Sequence, residues 1–92
     1  MTKQTARATG SKVKIYNGWA NRSTWNVSLW INNDEPLYRS ATEFMKTYKG
    51  KRAYADFIRY EGLQDDKTPD NIQYLSSRLD YKELNAMMLE LV

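Results

Sequence analysis

Asn17-Gly18-Trp19-Ala20-Asn21-Arg22-Ser23-Thr24-Trp25-Asn26-Val27-Ser28-Leu29-Trp30-Ile31-Asn32-Asn33-Asp34-Glu35-Pro36-Leu37-Tyr38 holds all three tryptophans of a 92-residue chain and its densest run of asparagine. Each indole buries roughly 200 Å². At about 25 cal/mol per Å² that is several kcal/mol before the entropy of ordering is set against it. The rest of so short a chain has to be arranged around these rings. The decisive run is Trp25 to Ile31. Trp25, Val27, Leu29 and Ile31 fit the period of a strand, whereas Val27, Trp30 and Ile31 fit that of a helix. Helix is the reading adopted, because the apolar residues cover both faces, as in a central buried helix. Asn21 or Ser23 stands in place to cap it.

Working outward, the next helix is plainer. Asp34 is its cap, Pro36 lies in its first turn, and Leu37, Ala41, Phe44, Met45 and Tyr48 recur on one face up to Gly50, which is read as its end. A third helix is predicted from about Lys51 to Glu61, burying Tyr54, Phe57 and Ile58, with Gly62 at its exit. Gln64 to Lys67 reads as an acidic polar loop and Thr68-Pro69-Asp70-Asn71 as a turn. Ile72 to Leu75 reads as a short extended piece that pairs with Val13 to Tyr16. The last helix has the strongest local signature: Asp80 caps it, Glu83 can reach back, and Leu79 with Leu84 has the spacing of a hydrophobic staple. Its buried stripe is Leu84, Met87, Met88 and Leu91. The fold class expected is mainly α, a compact single domain of four or so short helices, with one short two-stranded β pair as the only sheet.

Ninety-two residues suffice for one hydrophobic core and no more. The net charge of +3 is divided unevenly, since Lys3, Arg7, Lys12 and Lys14 give residues 1–14 a charge of +4 and leave residues 15–92 at −1. Residues 1–14 are therefore read as a disordered basic tail and 15–92 as the single globular domain, because the tail has too little apolar surface to offset its ordering entropy. Thr2 to Arg7 is identical to a six-residue stretch of the histone H3 tail. So short a match, outside the tryptophan-bearing part, is read as a solvated tail. The amino-terminal stretch lacks the apolar core of a signal peptide and no apolar run reaches membrane-spanning length, so no membrane partner is expected. With no cysteine for a disulfide framework, a reducing cytoplasm is the expected location.

The residues Asn17-Gly18-Trp19, Asn21, Thr24-Trp25-Asn26-Val27, Leu29-Trp30-Ile31, Asn33-Asp34-Glu35 and Leu37-Tyr38 resemble the signature of a family of short uncharacterised proteins from bacteriophages, plasmids and bacteria, cyanobacteria among them. The likeness continues more thinly through Thr68-Pro69-Asp70 and Leu84 to the end of the chain. It carries no activity. This sequence departs from that family at positions 36 and 71, where Pro and Asn stand in place of an expected Gly. The second change is mild, as Asn is the next best residue at positive φ.

Catalytic chemistry is poorly provided for. Absence of histidine and cysteine removes the commonest general base, the thiolate nucleophile and the favoured soft metal ligands. Ser23, Thr24 and Ser28 therefore have no histidine to activate them. Asp34-Glu35 is explained by capping and the helix dipole. Asp65-Asp66 with Asp70 lacks the alternation of a calcium loop, and Gly10-Ser11-Lys12 lacks the first glycine of a phosphate loop. No cofactor and no metal are expected.

Two functions from different classes remain. The leading expectation is a non-catalytic protein that modulates a partner protein, anchored by Trp19 or Trp30 with Asn33, Asp34 and Tyr38 at the edge, since hot spots favour Trp and Tyr. The alternative is a small nucleic-acid-binding protein using Lys49, Lys51 and Arg52 with the tail residues Lys12 and Lys14. Its basis is the basic and aromatic interleaving of residues 46–59. The asparagines 17, 21, 26, 32 and 33 either hold the backbone or face a partner, and their preference for caps and turns favours the first.

Overall fold

The computed structural model describes residues 18–92. The predicted basic tail, the strand Val13 to Tyr16, Asn17 and the candidate residues Lys12 and Lys14 lie outside the described residues. Four helices follow one another: α1 (Arg22–Asn33), α2 (Glu35–Thr47), α3 (Ala53–Glu61) and α4 (Tyr81–Leu89). The fold is mainly α, with α1 packed on α2 and α4, and α3 packed on α2 and α4.

The ambiguous run is helical. Thr24, Val27, Ser28 and Ile31 form the buried face of α1, Asn26 is also buried on its flank, and Trp25, Leu29 and Trp30 are half-buried. The side chain of Asn21 is the cap, accepting from the Thr24 N–H at 2.8 Å, and its amide donates to the Arg78 carbonyl at 2.9 Å. One asparagine thus starts α1 and ties that start to the chain before α4.

A single residue separates α1 from α2. The Asp34 N–H donates to the Trp30 carbonyl at 3.0 Å, closing α1, while its carboxylate accepts from the Leu37 N–H at 3.5 Å, opening α2. The helix α2 ends at Thr47, earlier than expected, because Tyr48 turns into an extended conformation. Gly50 is not its cap. A Cβ at Gly50 would stand 2.6 Å from Cζ of Tyr48, so the glycine is there to let the phenol cross the connection.

The helix α3 begins at Ala53 rather than Lys51, and Arg52 supplies no side-chain cap. The Arg52 N–H instead donates to the Tyr48 hydroxyl at 3.0 Å. The predicted exit is as expected. Gly62 sits at φ 77, its N–H reaching the Arg59 carbonyl at 3.1 Å and the Leu63 N–H reaching Ile58 at 2.9 Å, a glycine-terminated close that satisfies the last carbonyls.

Residues 62–80 contain no helix. Their one β feature among the described residues is an isolated antiparallel bridge between Lys67 and Gln73. Ile72 to Leu75 is therefore not the predicted strand. The chain folds back on itself through the turn at Thr68, whose N–H donates to the Ile72 carbonyl at 2.8 Å, and Tyr74 donates to the Asp66 carbonyl at 3.1 Å. Asp80 caps α4 as expected, accepting from Glu83 N–H at 3.0 Å. The reciprocal half of that box is replaced by tertiary contacts: the Asp80 N–H donates to Thr24 Oγ1 at 2.9 Å and the Glu83 carboxylate accepts from the Ala20 N–H at 2.8 Å.

The core gathers Val27 and Ile31 from α1, Ala41 and Met45 from α2, Tyr54, Phe57 and Ile58 from α3, and Leu84, Met87 and Met88 from α4, closed by Tyr74 and Leu79. Tyr54 is wholly buried, and its hydroxyl donates to the Tyr74 carbonyl at 2.6 Å, so that burying the phenol leaves no polar atom unpaired. Burial pushes that hydroxyl's pKa well up. No helix among the described residues is long and apolar enough to cross a membrane.

Candidate nucleic-acid interface

Of the residues predicted to anchor a partner protein, Trp19 and Trp30 are half-buried and Asn33, Asp34 and Tyr38 are exposed. The Trp30 indole N–H donates to Oδ2 of Asp70 at 2.9 Å, and the Asn26 amide donates to the same oxygen at 2.8 Å. Asn26 Oδ1 in turn accepts from the buried Thr68 hydroxyl at 2.7 Å. The Thr68 oxygen also accepts from the N–H groups of Asp70 and Ile72, both at 3.2 Å. Two neutral donors on one carboxylate hold the Asp70 pKa below the ordinary aspartate value, the Asn26 bond contributing most and the Trp30 bond next.

Trp19 is half-buried and lines a groove with Ala86 and Met87 of α4 and Glu90 just beyond it. The Asn33 amide returns to the Leu29 carbonyl at 2.8 Å, and Asn32 does the same to Ser28 at 2.8 Å. None of the three indoles is fully exposed. Tyr38, 40% exposed on the first turn of α2, is the member of the set that faces solvent as an aromatic.

Of the other predicted set, Lys12 and Lys14 lie outside the described residues. Lys49, Lys51 and Arg52 are all exposed on the connection from α2 to α3. Beside them runs an open groove of about 760 Å³, lined by Phe44, Lys46, Thr47, Tyr48, Lys49 and Tyr60 among others. Phe44 is the hub of its wall: its ring lies 5.0 Å from Tyr48, 5.1 Å from Tyr60 and 5.5 Å from Phe57. Phe57 belongs to the core and Tyr60 is 69% exposed, so the ring cluster leads from the interior to solvent.

The floor of the corner is fixed by polar contacts. The Tyr48 hydroxyl donates to Asp56 at 2.5 Å while accepting from the Arg52 N–H. Desolvation first, then the Asp56 carboxylate, pushes the Tyr48 pKa up and keeps the phenol a neutral donor. Ser40 donates to Glu61, joining α2 to α3 on the other side of the ring cluster. Lys46 is paired with Glu43 at 2.8 Å, and Arg59 approaches Asp56 only to 4.0 Å. Lys49, Lys51 and Arg52 have no ion pair among the described residues.

A model described as a family of unknown function (DUF7249) matches residues 12–92. The chain belongs to the DUF7249 family. No curated protein and no solved structure matches it. The DUF7249 match spans both the Asn26–Thr68–Asp70–Trp30 contact and the aromatic corner, and leaves out the histone-like stretch Thr2 to Arg7.

The sequence reading did not single out Tyr60, although it closes the basic and aromatic stretch that begins at Lys46. The signal was present in the register: on α3, Tyr60 lies at the edge of the stripe formed by Tyr54, Phe57 and Ile58. Its partner Phe44 comes from another helix and left no local trace. Chemically, the corner offers ring faces and cations, with the Glu43 carboxylate, paired with Lys46, also in the groove's lining. Among the described residues no three His, Cys, Asp or Glu side chains are grouped to hold a metal ion.

Proposed function

We propose that this is a small non-catalytic nucleic-acid-binding protein, of the phage and mobile-element kind that its tryptophan and asparagine string resembles. Its binding face is the α2–α3 corner and its ligand is single-stranded nucleic acid. The observation that carries this reading is Tyr60, 69% exposed yet packed against Phe44 at the edge of the groove, the two rings tilted by 41°. A ring held in place from behind offers a preformed face to a base, and base–aromatic stacking is worth about 1–3 kcal/mol per base. Lys49, Lys51 and Arg52 supply unpaired cations for the adjacent phosphates. An unstacked strand suits such a face better than a duplex, whose bases already stack on one another.

The partner-protein reading has less support, since Trp30, Asn33 and Asp34 are committed to bonds within the chain. The discriminating experiment measures anisotropy of a short labelled oligothymidylate with the native protein, Tyr60→Ala, and a Lys49, Lys51 and Arg52 triple alanine variant. All substituted side chains are exposed, so the variants should keep native circular dichroism. The expected result is a loss of about tenfold or more in affinity for Tyr60→Ala and a larger loss for the triple variant. Native-like binding by both folded variants, or no binding by the native protein at low salt, would overturn the proposal.

A further inference from the structure

A second groove, of about 370 Å³, opens between the first turn of α1 and the chain from Lys67 to Arg78. It lies within the size range of ligand clefts, which begins near roughly 300 Å³. Its polar lining is Ser23, Lys67, Asn71, Gln73, Ser76 and Arg78, with no carboxylate among the lining residues. We infer that this groove is a binding site for a small phosphomonoester, a ligand class distinct from the polymer proposed for the α2–α3 corner.

The donors come from separate segments that the fold holds in fixed relation. Lys67 and Gln73 stand opposite each other across the antiparallel bridge, so their side chains leave the same face of the pair. Asn71 follows in the turn at φ 70, held there by its own N–H bond to the Thr68 carbonyl at 2.8 Å. Arg78 is fixed at both backbone ends: its carbonyl accepts from Asn21 and its N–H donates to Ser76 Oγ at 3.1 Å. Because that oxygen acts as acceptor there, the Ser76 hydroxyl proton remains for a ligand.

The charges are uncommitted. Neither Lys67 nor Arg78 has an ion pair, and neither the Asn71 nor the Gln73 side-chain amide has a hydrogen-bond partner among the described residues. Of the carboxylates next in sequence, Asp66 precedes Lys67 and is not among the lining residues, and Asp70 is occupied by Asn26 and Trp30 on the side of α1. A phosphomonoester carries roughly −1.5 to −2 charges and three acceptor oxygens. Two cations and several neutral donors match that demand, the guanidinium by a two-pronged contact and the ammonium as a point charge.

The test records amide spectra of the full chain during titration with phenyl phosphate, then inorganic phosphate, at constant ionic strength. Saturable shifts confined to Ser23, Lys67, Asn71, Gln73, Ser76 and Arg78 are expected. A Lys67→Ala, Arg78→Ala double variant should bind at least about tenfold more weakly. Gln73→Glu, which adds a negative charge without removing a side chain, should abolish saturation. Shifts that never saturate, that centre on Lys49, Lys51 and Arg52, or that persist unchanged in either variant would overturn the inference.

Discussion

Asn26 shows what the sequence string is for. Buried, it bridges Asp70 and Thr68 across 44 and 42 residues of chain. The stretches of the family resemblance that carry Asn26 and Trp30 meet the one that carries Thr68 and Asp70 in this contact. That these stretches mattered was legible, and a structural use of the asparagines was the favoured reading. Which residue answered Asn26 was not, because an amide has no periodicity to betray its partner. Nor was the positive φ of Asn71 more than an inference from the expected glycine, though at φ 70 the residue sits where that inference places it. A pH dependence follows from Asp70. Its folded pKa is depressed by the Asn26 and Trp30 bonds, so its contribution to stability is fully present above the unfolded value of about 3.9 and fades as pH falls through the lower folded value. Asp70→Asn keeps an acceptor and removes the charge. Melting temperatures measured from about pH 6 to about pH 2 should therefore fall less steeply in that variant than in the native protein. Parallel curves would mean that the carboxylate is not held by these donors.

At the scale of elements, the helix ends divide into those with a local cause and those without. Asp34, Gly62 and Asp80 act where the sequence places them, since a cap or a left-handed exit is decided within a few residues. The start of α3 and the end of α2 were misjudged because both are set by the Tyr48 phenol, which reaches forward to the Arg52 N–H and Asp56. Ile72 to Leu75 misled for a similar reason: its apolar residues serve the core and the turn rather than a ladder. The two glycines make this difference measurable. Gly62 needs its positive φ and has open space around it, whereas Gly50 needs only the absence of a side chain. Gly62→Ala should cost about 1–2 kcal/mol from the left-handed backbone, and Gly62→Asn should recover most of it. Gly50→Ala should cost about 1–3 kcal/mol through collision with Tyr48, and Gly50→Asn should recover nothing. Equal behaviour of the two glycines in urea unfolding would show that one mechanism, not two, operates at both.

For the molecule as a whole, the sequence announced a helical domain arranged around its tryptophans; the helices are there, but the core is built on residues such as Val27, Ile31, Leu84 and Met88, with Trp19 half-buried against it and Trp25 and Trp30 half-buried outside it. It did not announce which surface is left for work. The charge of residues 46–59 was visible, but the groove exists only because α2 and α3 bring Phe44 beneath Tyr60. The most direct measurement of the central proposal is the salt dependence of oligothymidylate binding by the native protein and by the Lys49, Lys51 and Arg52 triple alanine variant. Each phosphate contact on a single strand contributes a slope of about −0.7 in log K against log salt. The native protein should therefore show a slope near −2 or steeper from these three cations alone, and the triple variant should be flatter by roughly 2. A native slope near zero, or the same slope in both proteins, would contradict nucleic-acid binding at this corner.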